Sequence, residues 1–165
     1  MGGRLVEGLA FEWRCERMGE ALLRSLLDRT DAPEVVAALT ELASAARVRR
    51  SRIERRLESV KARPLLAPLS TGDGRLDEGL ERALATSRSA ADRYGALAEL
   101  ARHLRDAETA FACELNRIGA EEAGSLLEVL LDAETERRAA ELVELPAAIR
   151  APARLAARPF REPEA

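Results

Sequence analysis

The sequence predicts an all-α protein, a four-helix bundle made of two antiparallel hairpins joined by a long crossover with a short extra helix. Three observations carry this expectation. Ala, Leu, Arg and Glu dominate a chain that is 47% hydrophobic and 33% charged, and these are strong helix formers. Runs of β-branched residues are absent and aromatics make up only 3%, which argues against a sheet. Apolar residues recur at helical spacing, in segments separated by two tight turns and one long interruption. With 165 residues the chain can bury one core but is short for two domains.

The first helix is expected from about Leu5 to Asp28, with an apolar line through Leu9, Trp13, Leu23, Leu26 and Leu27. Thr30 and Asp31 break it. Asp31-Ala32-Pro33-Glu34 has the pattern of a helix start, with Asp31 as cap, Pro33 in the first turn and Glu34 closing a capping box. The second helix runs from there to about Lys61, with Val35, Leu39, Leu42, Ile53, Leu57 and Val60 inward. Arg63 to Gly74 is rich in Pro, Gly, Ser and Thr and is a loop. A short helix covers about Leu76 to Ser87, and Ser89-Ala90-Ala91-Asp92 is a further start signal. The third bundle helix is expected over Ala90 to Ile118, with Leu97, Leu100, Leu104, Phe111, Leu115 and Ile118 inside. Gly119 and Gly124 bracket a turn, Ser125-Leu126-Leu127-Glu128 is a capping box, and the fourth helix ends at Leu145 before Pro146. Residues 1–145 thus form one domain, and residues 146–165 a Pro- and Arg-rich tail expected to be mobile. The long connection between the second and third helices lets them run in the same direction.

A net charge of −3 and a pI near 5.5 do not point to nucleic acid or an anionic membrane. Basic clusters at Arg47, Arg49, Arg50 and Arg52, and at Arg55 and Arg56, are offset by acidic residues and fit a solvated helix face. The start of the chain has neither a signal core nor a spanning stretch, so a cytoplasmic protein is expected. Cys15 and Cys113 are too few for a disulfide framework and lack a basic neighbour placed by spacing, which fits inert thiols. His103 is the only histidine and fits a boundary position, and Trp13 fits the core. No phosphate loop, Ser-His-Asp arrangement or zinc-type Cys/His cluster is present.

Four charged residues fall on apolar lines: Glu16 between Leu9 and Leu23, Arg49 between Leu42 and Ile53, Glu108 between Leu104 and Leu115, and Arg138 between Leu131 and Leu142. An unpaired buried charge is very costly, so these residues should pair with one another. The first hairpin runs Glu16, Gly19, Leu23, Leu26, and the second runs Glu108, Phe111, Leu115, Ile118, at the same spacing. That spacing suggests an internal repeat of the hairpin.

With this repeat, residues 5–145 resemble the rubrerythrin and ferritin-like family, most of all from Asp31 to Leu57 with Ala-Pro-Glu-Val near its start. Members carry Glu on the first helix of each hairpin and Glu-x-x-His on the second, and these side chains bind two metal ions. Glu16 and Glu108 match the first-helix positions. The second-helix motif falls on Ala46-Arg47-Val48-Arg49 and Thr135-Glu136-Arg137-Arg138, without either carboxylate or histidine at the ligand places. A frame one residue earlier gives Glu134-x-x-Arg137 but misaligns Leu142 and Leu145. The resemblance therefore implies a degenerate member with a buried Glu16, Arg49, Glu108, Arg138 cluster in place of the metal pair and no cofactor. Its expected role is that of a scaffold, an oligomeric partner or a small-ligand binder, with self-association or a protein partner. The alternative is an iron or manganese carboxylate oxidase or oxygenase with an unusual ligand set, Glu16 and Glu108 with Glu12, Glu20, Glu134 or Glu136.

Overall fold

The computed structural model describes residues 2–64 and 74–144. It holds four helices, α1 (Gly3–Leu27), α2 (Pro33–Ser59), α3 (Leu76–His103) and α4 (Ala107–Glu144), and among the described residues no strand. The fold is an all-α four-helix bundle. α1 packs on α2 and α3, and α4 packs on α3 and α2. The predicted tail, residues 146–165, lies outside the described residues.

Two apolar layers fix the directions of the helices. One joins Leu5, Leu9 and Trp13 of α1 to Ile53 and Leu57 of α2, to Ala91, Tyr94 and Ala98 of α3, and to Ala110 and Cys113 of α4. The other joins Leu23 and Leu26 to Leu39 and Leu42, to Leu76, Leu80 and Leu84, and to Ala123 and Leu127. Neighbouring helices are therefore antiparallel, while α2 and α3 sit diagonally and run the same way. The chain between them joins opposite ends of the bundle.

The second half of the chain is divided differently from the sequence expectation. The short helix and the start of the third helix are one continuous α3, because nothing near Ser89 breaks it and Ala90, Ala91 and Tyr94 pack into the core. The expected helix over 90–118 is instead interrupted at Leu104–Asp106. Arg105 adopts a left-handed conformation (φ 57°), and the Asp106 N–H closes back on the Ala101 carbonyl at 2.9 Å. This is a Schellman ending, usually supplied by glycine. Lys61 (φ 56°) ends α2 in the same way, with the Ala62 N–H on the Leu57 carbonyl. Asp106 then caps α4, its carboxylate accepting from the Thr109 N–H at 3.0 Å and the Thr109 hydroxyl at 2.9 Å. Gly119 and Gly124, expected in a turn, lie inside α4. Asp31 does not cap α2; the capping position is Ala32, followed by Pro33.

The frame shift re-sorts the inner residues. Leu104, Phe111, Ile118 and Leu142, expected inside, are exposed, as is Val60 at the end of α2. The repeat expected from Glu16 and Glu108 is not a structural one, since Glu108 belongs to the first turn of α4, not to the partner of α1. The reciprocal contacts lie between α1 and α3. A Cβ on Gly8 would meet Leu97 Cδ2 at 2.5 Å, and a Cβ on Gly79 would meet Leu26 Cδ2 at 2.3 Å. Gly8 precedes Leu26 by as many residues as Gly79 precedes Leu97, so each hairpin offers a glycine to the other's leucine.

Candidate functional site: a charged belt across the bundle centre

Between the two apolar layers α1 turns three carboxylates inward, Glu12, Glu16 and Glu20, at four-residue spacing and all buried. Helical periodicity places such residues one above another on one face. Each carboxylate is met by arginine.

Glu16 is the centre of the belt. Arg49 of α2 grips it with both prongs, Nε to Oε1 at 2.7 Å and Nη2 to Oε2 at 3.0 Å. Both side chains are nearly closed to solvent, at 5% and 7% exposure. Tyr94 of α3 donates its hydroxyl to Glu16 Oε1 at 2.9 Å. The remaining prong of Arg49, Nη1, donates to the Gly119 carbonyl of α4 at 3.0 Å. Asn116 of α4 in turn donates to the Arg49 carbonyl at 3.0 Å and accepts from Arg52 Nη1 at 3.1 Å. One network thus touches all four helices. Its satisfied hydrogen bonds are what make the burial of two charges tolerable. Burial, then the adjacent Glu16 charge, push the Tyr94 hydroxyl well above its ordinary range, which keeps it a donor.

The other two carboxylates are as buried as Glu16, but their arginines reach the surface. Arg93 binds Glu12 with Nε and with Nη2, the latter at 3.2 Å, and its guanidinium lies 5.4 Å from the centre of the Phe11 ring. Burial pushes the Glu12 carboxyl up against the pull of Arg93. Glu20 collects Arg24 at 2.8 Å, Arg47 at 3.0 Å and Arg50 at 2.6 Å.

The remaining residues singled out by spacing lie elsewhere. Glu108 is 80% exposed and pairs with Arg56, which also binds Asp106 at 3.1 Å. Arg138 pairs with Asp77 at the opposite end of the bundle. The structure therefore brings Glu16 and Arg49 together and leaves Glu108 and Arg138 out of the cluster, because the break at Leu104–Asp106 moves Glu108 to the end of a helix. Glu134 is buried against Arg137 of its own helix at 2.7 Å, and Glu136 is exposed. His103 is exposed at the end of α3, with Nδ1 2.9 Å from the Glu99 carbonyl. Cys113 is buried, which pushes its thiol up to about 12, and burial raises the half-buried Cys15 thiol as well. The Trp13 indole N–H is buried without a hydrogen-bond partner. The spacing of charged residues passes over Tyr94 and Asn116; the available signal was a polar residue in helical register with small ones, Ala90, Ala91 and Ala98 about Tyr94, and Cys113 and Ala120 about Asn116.

Beside the Glu16–Arg49 pair lies a cavity of about 30 Å³, lined by Gly19, Ala46, Thr86, Ser87, Ala90 and Leu127 among others. It has room for about two waters. Among the described residues no group of three or more His, Cys, Asp or Glu is placed to hold a metal ion. No described helix is long and apolar enough to cross a membrane.

The fold and this site define a four-helix bundle with a charged centre. No family model matches the chain, and no curated protein matches it. A crystal structure of a protein from Xanthomonas campestris pv. campestris is similar, with a TM-score of 0.67 and 22% identity, covering 82% of this chain and 95% of that one. That likeness concerns the fold alone.

Proposed function

We propose that the chain is a non-catalytic ferritin-like protein, a scaffold that acts through what its surface binds, with an arginine–carboxylate pair at the place of a di-metal site. The observation that carries this reading is the bidentate Glu16–Arg49 pair at the centre of the bundle. A di-metal centre needs several free carboxylate and imidazole donors converging on one point. Here both oxygens of Glu16 face a guanidinium, which puts fixed positive charge where a cation would have to sit. Glu12 and Glu20 are likewise matched by arginine. Glu108, the other expected ligand, is at the surface. The donor set does not fit the metal pair that the family resemblance implies.

Elemental analysis of protein purified from iron- and manganese-supplemented medium tests this reading. Metal well below one ion per chain, and no thermal stabilisation by added Fe(II) or Mn(II), are the expected results. About two ions per chain, with oxygen consumption above background, would overturn it.

A further inference from the structure

We propose that the α2–α4 face is the contact between two copies of this chain, packed about a twofold axis that lies in the interface, across the helices, at the level of Val48 and Gly119. The inference rests on the scaffold reading and deepens it by naming the partner.

The face carries a row of exposed apolar side chains, bordered by polar ones that include Glu41, Arg52 and Glu122. Phe111 and Val129 of α4 are 66% and 64% exposed, and Ile118 and Val48 also stand clear of the core. Between α2 and α4 runs a groove of about 770 Å³, lined by Ala45, Val48, Leu115, Ile118 and Leu126 among others. From Phe111 to Val129 the stripe is about 27 Å long. Two adjacent helices make it roughly 20 Å wide. Covering it would bury roughly 500 Å² per copy, about the lower bound for a specific interface.

The order of residues along this face is self-complementary, which is what an isologous contact requires. On α4, Phe111 and Val129 lie equally far from Ala120, and Leu115 and Leu126 almost so. On α2, Glu41 and Arg55 lie equally far on either side of Val48, at seven-residue spacing and hence on one line of the helix. The two centres lie within about one helical turn of each other, because Arg49 donates to the Gly119 carbonyl through its side chain and accepts from Asn116 at its own carbonyl. A twofold there sets Phe111 against the partner's Val129, α4 to α4. It also sets Glu41 of each copy against the partner's Arg55, α2 to α2. Glu41 and Arg55 are both exposed, and neither forms an ion pair with the described residues of its own chain. The arrangement supplies each with a partner of opposite charge, and the apolar stripe with a cover.

Sedimentation velocity of the full chain across a concentration series tests the contact. The expected species has twice the 18.0 kDa chain mass. Ile118→Arg should leave a monomer with unchanged helical content. Glu41→Arg and Arg55→Glu should each weaken the dimer about tenfold, since each places two like-charged pairs across the axis. The double exchange in one chain should restore wild-type affinity, and the two single variants, mixed, should associate with each other better than either does with itself. These substitutions are at exposed sites, so loss of folding does not mimic the result. A chain that stays monomeric throughout overturns the proposal. So does a dimer indifferent to Ile118→Arg and to the charge exchange, which would be built on another face. A monomer without metal would leave the scaffold reading standing, and a metal-loaded dimer would end that reading and leave the interface.

Discussion

At the scale of single residues, the Glu16–Arg49 pair decides how the bundle centre responds to change. Removing one partner strands a buried charge, which typically costs about 3–5 kcal/mol. Arg49→Leu and Glu16→Leu should each destabilise by that order, measured by urea denaturation. The double variant should recover much of the loss, because two apolar side chains no longer need desolvated charges to be matched. Single-variant losses below about 0.5 kcal/mol would mean that the pair is screened by solvent, as surface pairs are. Cys113 gives a second expectation at this scale. Its thiol is pushed up to about 12 by burial, so almost none is thiolate near neutral pH. Alkylation of native protein should be far slower at Cys113 than in urea, with the half-buried Cys15 reacting first.

At the scale of elements, the turn between α3 and α4 concentrates several signals. Asp106 is the capping residue of α4 and also accepts from Arg56. Burial pushes its carboxyl up, but the Thr109 N–H, the Thr109 hydroxyl and Arg56 outweigh burial and hold it below the usual carboxylate range. A carboxyl with a depressed native value stabilises the fold above its unfolded value, near 3.9, and that stabilisation is lost as pH falls through the native value. Asp106→Ala should cost about 1–2 kcal/mol at neutral pH. It should cost progressively less as the solution is acidified below about pH 4, followed by thermal melts. The neighbouring Arg105 holds a left-handed conformation that glycine adopts freely, so Arg105→Gly should stabilise by about 1 kcal/mol.

Three helix glycines should then separate by what a methyl group meets. Gly119→Ala places a Cβ at an ordinary 3.6 Å from Arg49 Cδ and should stabilise by about 0.5–1 kcal/mol. Gly79→Ala drives into Leu26, which is fully buried, and should destabilise by about 1–2 kcal/mol net of the helix gain. Gly8→Ala should fall between them, because Leu97 is only partly buried and can move aside.

For the molecule as a whole, the charged belt separates two apolar layers and ties every helix to the others. Trp13 and Tyr94 belong to one layer, while the other has no aromatic residue. If the belt couples the layers, denaturation followed by Trp13 fluorescence should coincide with loss of helix followed by circular dichroism, as a single cooperative transition. In Arg49→Leu the two curves should part, with the fluorescence midpoint differing from the helical one.

Legible in the sequence are the helical class, the limits of α1 and α2 to within a few residues, the tight turn between them and the long connection after α2. Each of these rests on local chemistry: helix-forming composition, apolar periodicity, and Pro and Gly at the breaks. It also singled out Glu16 and Arg49 as charges on apolar lines. Where the second half divides depends on tertiary contacts. The stop at Leu104–Asp106 uses arginine in a left-handed conformation and an aspartate cap, without the Gly or Pro that marks a turn, whereas Gly119 and Gly124 continue a helix that packing holds in place. That one shift of frame carried Glu108 to the surface, turned Phe111 and Ile118 outward, and matched Arg138 with Asp77. The approach of Tyr94, Gly119 and Asn116 to the Glu16–Arg49 pair was likewise a tertiary matter, since hydrogen bonds between helices depend on their relative register and no local pattern encodes it.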